Sequence, residues 1–282
     1  MTPGVRRVTG STHTVGVMGW PVEHSLSPVI HNAAFDAAGL DWTYVALPVR
    51  PGEVSAAVAG LRSLGFRGAN VTMPHKDDVA ALVDDASDDA RRLGAVNTVV
   101  VSDGAVSGHN TDAPGFDRFL RRDAGVDPAG STALVLGAGG AARACALALA
   151  RGGAAEVIVA SRKPTAADRV RAALDGLATE VAWVAFPDAA ARAADLVINA
   201  TPLGARGETV PVGPLGPGTV VIDLLYAPPT TPLLTAARAA GAQAFGGLGL
   251  LLHQGALSFE LWTGQPAPLE VMSAAALSAI AD

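Results

Sequence analysis

The chain has 282 residues, half of them hydrophobic, enough for one large domain or two modest ones with real cores. Its net charge of −6, with no long basic run, argues against a nucleic-acid partner, and its one cysteine, Cys145, excludes a disulfide framework and favours a reducing, cytoplasmic compartment. The N-terminal stretch MTPGVRRVTGSTH has two arginines but no apolar run behind them, so it does not read as a secretory leader, and no apolar run approaches the ~20 residues of a membrane span.

Along the chain, β-rich runs alternate with Ala-rich helical patterns. TVGVM (14–18) reads as the first strand. EHSLSPVIHNAAFDAAG then reads as a helix to Ala38 closed by Gly39, with Ser27 at the N-cap and Pro28 at the first helical position. Ser25 and Ser27 are two hydroxyls beside a helix N-terminus. They can hold a carboxylate or merely cap, and spacing alone supports both. WTYVALP (42–48) and GANVT (68–72) are further strands around the helical PGEVSAAVAGLRSLG.

Lys76 follows in TMPHKDD. The chain has 20 basic residues, and only Lys76 and Lys163 are lysines. With Pro74 at the first helical position, Lys76 falls in the first turn of a helix whose apolar positions are Val79, Leu82 and Val83. A cation there opposes the macrodipole at ~0.3–1 kcal/mol, which Asp77 and Asp78 offset. A helix N-terminus and partial burial both disfavour an ammonium. A lysine placed so can give up its proton, which an arginine cannot; a surface lysine leaning off a helix start is the plainer reading. VNTVVVS (96–102) brings Asn97, and GHNTDAPG brings Asp112 at a turn before a helix. Asp112 can orient a proton-carrying lysine or serve as an N-cap, and Asn97 can be a site amide or a turn residue.

The stretch near 110–130 is the best domain boundary, with a second passage at GGLG (246–249). Beyond it, TALVL (132–136) runs into Gly137-Ala-Gly139-Gly140-Ala-Ala142 and a helix, the context a dinucleotide-binding turn requires. Gly137 permits the tight turn, Gly139 lets backbone approach a pyrophosphate, and Ala142 allows close helix–strand packing. Cys145 lies in that helix, where a packed thiol is the ordinary reading. The next strand, EVIVA (156–160), ends in Ser161, Arg162 and Lys163 where an NAD site carries a carboxylate, so NADP is favoured. VAWVA (181–185), DLVINA (195–200) and TVVIDL (219–224) are further strands, and helices near 249–263 and 268–280 close the chain. Strand–helix alternation argues for α/β with largely parallel sheets, and the strands are too many for one simple doubly wound sheet, so two domains are expected. No fixed-period repeat is present. The six histidines show no HExxH or His/Cys cluster, so no metal is expected.

HSLSP, NVTMPHK, GAVNT, GHNTDAPG, GAGGAAR, NATPLG, DLLY…TP and GLGLLLHQG occur in this order over nearly the whole chain. Together they resemble the shikimate dehydrogenase family. The resemblance implies an N-terminal α/β substrate domain (1–112 and 248–282, a C-terminal helix returning to it), a Rossmann-type doubly wound NADP-binding domain (113–247), and an active site in the cleft between them. It implies reversible NADPH reduction of 3-dehydroshikimate to shikimate in aromatic amino-acid biosynthesis, with these small molecules as the partners and no membrane. Ser25 and Ser27 match the carboxylate ligands. Thr72, Asn97, Asp112 and Gln254 match positions that bind ring hydroxyls, and Tyr226 a further substrate contact. Lys76 and Asp112 match the catalytic pair. Gly137, Ala138, Gly139, Gly140 and Ala141 match the pyrophosphate loop, Ser161, Arg162 and Lys163 the 2′-phosphate loop, and Leu224 and Gly247 the nicotinamide side. The chain departs from the family where Ser161-Arg162-Lys163 replaces Asn-Arg-Thr and Leu224 replaces Met. Quinate or aminoshikimate dehydrogenases and a non-catalytic ligand sensor are the alternatives, and the sequence leaves monomer or homodimer open.

Overall fold

The structure, a computed structural model, describes residues 8–281; residues 1–7, part of the N-terminal stretch read above, and residue 282 lie outside the described residues. The chain divides into two compact units, one of Met1–Ala90, Ala95–Asn110 and Gly255–Asp282, the other of Arg91–Gly94 and Thr111–Gln254.

In chain order the first stretch gives β1 (His13–Gly19), α1 (Ser27–Ala37), β2 (Trp42–Pro48), α2 (Val54–Ser63), β3 (Gly68–Val71), α3 (Lys76–Ala80), β4 (Asp85–Ala86), α4 (Asp88–Leu93), β5 (Thr98–Ser102) and β6 (Ala105–His109). The sheet order is β2-β1-β3-β5-β6-β4. β1 runs parallel to β2 and β3, with Met18 level with Val71, but β5 is antiparallel to both β3 and β6. β4 is parallel to β6, so three of the five pairings among the described residues are parallel and this sheet is mixed, not parallel throughout. Between β5 and β6, Asp103 and Gly104 both take positive φ (50° and 78°), so a tight turn folds these two strands into a hairpin. Met18, Val58, Leu61, Val71, Val79 and Val99 belong to one apolar cluster. A second cluster is aromatic, with Phe35 stacked on Phe259 at 5.3 Å and Trp262 6.0 Å from Tyr44. Fully burying one such ring is worth ~1.5–3 kcal/mol.

Two helix starts differ from expectation. The N-cap of α1 is Leu26, and Ser27 is the first helical residue, its N–H bonded to the Ser25 hydroxyl at 3.3 Å. The plain capping role therefore passes to Ser25. α3 begins at Lys76 and stops at Ala80, short of Leu82 and Val83. Beyond it the chain is drawn toward β6, where Asp84 N donates to the Val106 carbonyl and the Asp84 carboxylate accepts from Val106 N, both at 2.8 Å.

The rest of the chain gives α5 (Asp112–Arg122), β7 (Thr132–Leu136), α6 (Gly140–Arg151), β8 (Glu156–Ser161), α7 (Thr165–Ala173), β9 (Glu180–Ala185), a 3₁₀ turn (Phe186–Ala191), β10 (Leu196–Asn199), β11 (Val220–Asp223), α8 (Pro232–Ala239), β12 (Gln243–Gly246), α9 (Leu248–Thr263) and α10 (Leu269–Ala281). The second sheet, ordered β12-β11-β10-β7-β8-β9, is parallel throughout. Counted from β7, this is the doubly wound order 3-2-1-4-5-6, whose direction reverses between β7 and β10. Leu134, Leu136, Ile158, Val197 and Val221 lie in its core. From Gly255 onward α9, with α10, belongs to the first unit, where α10 packs on α1. No helix among the described residues is long and apolar enough to cross a membrane.

Candidate active site

In the first unit, the carboxyl ends of β1 and β3 and the start of β5 bring several expected residues to one region. Thr72 leaves β3 with its N–H on the Met18 carbonyl at 2.8 Å. Lys76, one turn on and half-buried, accepts from Val96 N at 2.9 Å through its carbonyl. Asn97 is 2% exposed; its carbonyl accepts from Val71 N at 2.7 Å and its N–H donates to the His109 carbonyl at 3.0 Å. The segment from Thr72 to Lys76 is thus hydrogen-bonded on both sides. His75 tightens it further, its ring Nε2 bonded to the Val49 carbonyl at 2.7 Å. Ser27 is buried and Ser25 half-buried at the head of α1. Burial pushes the Tyr44 phenol well up, opposed only in part by a hydrogen bond from Ser27.

The second unit carries the remaining expected residues. Asp112 is not the N-cap of α5 but its first helical residue, after Thr111, and is buried. An acid there suits the positive end of the helix dipole. One turn on, Gly115 lies against Gln254: a Cβ on Gly115 would sit 2.8 Å from Gln254 N and 2.9 Å from its Cα. The absence of a side chain lets α5 and α9 close up, so Asp112 and Gln254 come from adjoining turns of packed helices. The Gln254 side chain donates to the Leu251 carbonyl at 2.8 Å.

The glycine loop lies where the sheet order reverses. Gly137 has φ 104°, and a Cβ on it would meet the Ala200 carbonyl at 3.1 Å, so both conformation and space demand glycine. Gly139, the N-cap of α6, is the opposite case. A Cβ there would meet nothing within 4 Å, and no side chain caps the helix. The first-turn N–H groups of α6 thus face a cradle open to a phosphate, and this donor set fits a dinucleotide pyrophosphate. At the end of β8 the Ser161 hydroxyl donates to the Lys163 carbonyl at 2.9 Å and accepts from Trp183 Nε1 at 3.0 Å. Ser161 therefore shapes the turn, and Arg162 and Lys163 stand exposed on it as the cations. Leu224 and Gly247 are brought together, because a Cβ on Gly247 would collide with the Leu224 carbonyl. Tyr226 follows on the same loop, its phenol pushed up by burial.

Two sets escaped the sequence reading. One is the Asn199–Asp223–Thr231 group under the Leu224–Tyr226 loop. Asn199 Nδ2 donates to Asp223 Oδ1 at 3.0 Å, and Thr231 donates to Asp223 Oδ2 at 2.6 Å. Burial pushes the Asp223 carboxyl up, opposed by the bonds from Thr231, Leu225 and Asn199. The NATPLG and DLLY…TP motifs contained these residues, but only a fold could pair them. The other set is His31, Tyr44, Asn70, Thr98 and Ser258, buried beside Ser27 and Asn97.

Comparison with known proteins gives consistent matches. The Shikimate dehydrogenase substrate binding domain matches residues 17–99, Shikimate / quinate 5-dehydrogenase matches 121–205, and the Shikimate 5'-dehydrogenase C-terminal domain matches 247–277. A protein of Moorella thermoacetica named shikimate dehydrogenase (NADP(+)) is 48% identical over 94% of this chain and 93% of its own. One of the same name from Rubrobacter xylanophilus is 49% identical over 92% and 94%. The shikimate 5-dehydrogenase of Thermus thermophilus, solved in complex with NADP(H) and shikimate, superposes with a TM-score of 0.85 at 37% identity over 95% of this chain and 99% of that one.

Proposed function

Because the chain belongs to the shikimate dehydrogenase family, we propose that its activity is the reversible NADP-dependent interconversion of 3-dehydroshikimate and shikimate in aromatic amino-acid biosynthesis. The observation that carries this reading is likeness along nearly the whole chain to relatives named for that one activity, 48% identical over 94% of it in the Moorella case. NADP, when bound, supplies the two-electron chemistry at the carbinol carbon.

The residue roles follow from the chemistry each side chain offers. Ser25 and Ser27 grip the substrate carboxylate with hydroxyl donors near the head of α1. Thr72, Asn97, Asp112 and Gln254 hold the ring hydroxyls, and Tyr226 makes a further substrate contact. Lys76 gives its proton to the oxygen that becomes alkoxide during ketone reduction and takes it back in the reverse direction, and Asp112 holds the ammonium and that oxygen in line. Residues Gly137 to Ala141 hold the pyrophosphate, Ser161 to Lys163 receive the 2′-phosphate, and Leu224 and Gly247 line the nicotinamide side. This assigns residues 1–112 and 248–282 to substrate and 113–247 to NADP. Cys145, buried in α6, fits a reducing cytoplasm.

The test is reduced-cofactor formation with shikimate or quinate, each offered with NADP or NAD at one mildly alkaline pH. Turnover with shikimate and NADP above the other three pairs is expected. Dominant turnover with quinate or NAD moves the enzyme to another branch of the family, and no turnover with any pair overturns the reading.

A further inference from the structure

A run of buried side chains in the first unit leads from Tyr44 to Asn97. Tyr44, Asn70, Asn97, Thr98 and Ser258 are each 6% exposed or less. The Tyr44 hydroxyl donates to Asn70 Oδ1 at 2.7 Å, which makes Nδ2 the donor end of that amide. Asn70 Nδ2 then donates into a set formed by Ser258 Oγ at 2.9 Å, Thr98 Oγ1 at 3.1 Å and the Asn97 carbonyl at 3.2 Å. Thr98 in turn donates to Asn97 Oδ1 at 3.0 Å. A hydroxyl carries one proton. Because that of Thr98 goes to Asn97, the 2.8 Å bond between Thr98 and Ser258 must have Ser258 as its donor. The protons therefore run one way, toward the Asn97 side-chain oxygen. Asn97 is also pinned through its backbone on β3 and β6, and its side-chain Oδ1 is the atom that accepts from Thr98.

We propose that Thr98, held by Asn70 and Ser258, is a positioning residue that turns the Asn97 amide nitrogen toward the substrate. This rests on the reading of Asn97 as a substrate ligand. The consequence is a choice of substrate class. An amide presented by its N–H groups matches a hydroxyl or carbonyl oxygen, whereas an ammonium has only donors and meets them unpaired. The site is therefore built for an oxygenated carbocycle and against its amino-substituted counterpart.

The experiment compares Thr98→Val, which keeps the shape and removes the proton donor, with Thr98→Ser, which keeps the donor. Thr98→Val is expected to raise the KM for shikimate about tenfold, the effect of one buried hydrogen bond, with kcat and the KM for NADP within about twofold. Thr98→Ser is expected to restore the wild-type KM. An amino-substituted analogue should compete poorly with shikimate in the wild type and gain ground in Thr98→Val. Equal behaviour of Val and Ser variants, or a parallel fall in kcat with both KM values rising, would overturn the proposal. If the wild type does not turn over shikimate, the functional reading falls and the orientation is still decided by NMR. The two Asn97 side-chain amide protons, inequivalent in any primary amide, should keep their chemical shifts in Thr98→Ser and move in Thr98→Val, where the oxygen loses its donor; an unchanged spectrum refutes the positioning role.

Discussion

His31 offers a direct test of how the first unit is held together. It lies one helical turn beyond Ser27, with its ring parallel to Tyr44 at 4.5 Å and 5.4 Å from Trp262. Burial pulls its imidazole down from 6.5 to about 3. In the unfolded chain the ring titrates near 6.5, so between these values the unfolded state takes up a proton that the folded state refuses. The stability contributed by neutral His31 is thus complete above pH 6.5 and is lost as pH falls toward 3. The full slope for one proton is ~1.4 kcal/mol per pH unit and is reached only below pH 6.5, so the loss between pH 6.5 and 4.5 amounts to about 2 kcal/mol. His31→Phe removes the titration and keeps a ring against Tyr44. Urea denaturation of both proteins at the two pH values should show the wild type losing about 2 kcal/mol more than the variant over this interval. Parallel losses would falsify the account of His31 as a neutral core residue.

Three further outcomes are expected. Lys76→Ala should lower kcat by ~10²–10⁴-fold while shikimate still binds by calorimetry, and Lys76→Arg should not restore turnover, because a guanidinium keeps its proton; rescue by Arg would sink the proton-transfer role. Arg162→Ala should weaken NADP by ~10–100-fold and leave NAD within about threefold, since a charge-assisted bond to the 2′-phosphate is lost only for NADP; equal weakening would point to another phosphate ligand. Gly115→Ala should cost ~1–3 kcal/mol in chemical denaturation, because its Cβ would lie 2.8 Å from the backbone of Gln254, and an unchanged midpoint would contradict the close packing of α5 on α9.

The parallel unit was the more legible in the sequence. Its strands are continuous apolar runs, as strands covered on both faces must be, and TALVL was read residue for residue as β7. The short β4 and β12 have too few residues to show a period. β6 was missed although Asp103-Gly104 is a hairpin signal, because AVSGH looks polar and its partner strand had been read alone. Pattern reading placed a cap on Ser27 and a longer helix after Lys76; both were decided by neighbours distant in sequence or by one-residue shifts at a helix end. Candidate site residues were legible where local motifs hold them, as at Gly137, Ser161 and Lys76. The Tyr44–Asn70–Thr98–Ser258 run was not, since Asn70 and Ser258 are 188 positions apart and nothing local marks Ser258 as polar core.

The first unit is discontinuous, and its last segment, Gly255–Asp282, carries Ser258, Phe259 and Trp262. On a ribosome the chain emerges from its N-terminus, so β1 to β6 are made before the rings that cover Phe35 and Tyr44 exist. The segment Thr111–Gln254, which has its own sheet, is complete first and can fold while the earlier strands wait. Its folding gathers a long intervening stretch into a compact body and lowers the entropy cost of bringing α10 back to α1. Synthesis thus finishes the second unit before the first, in the reverse of their order of appearance.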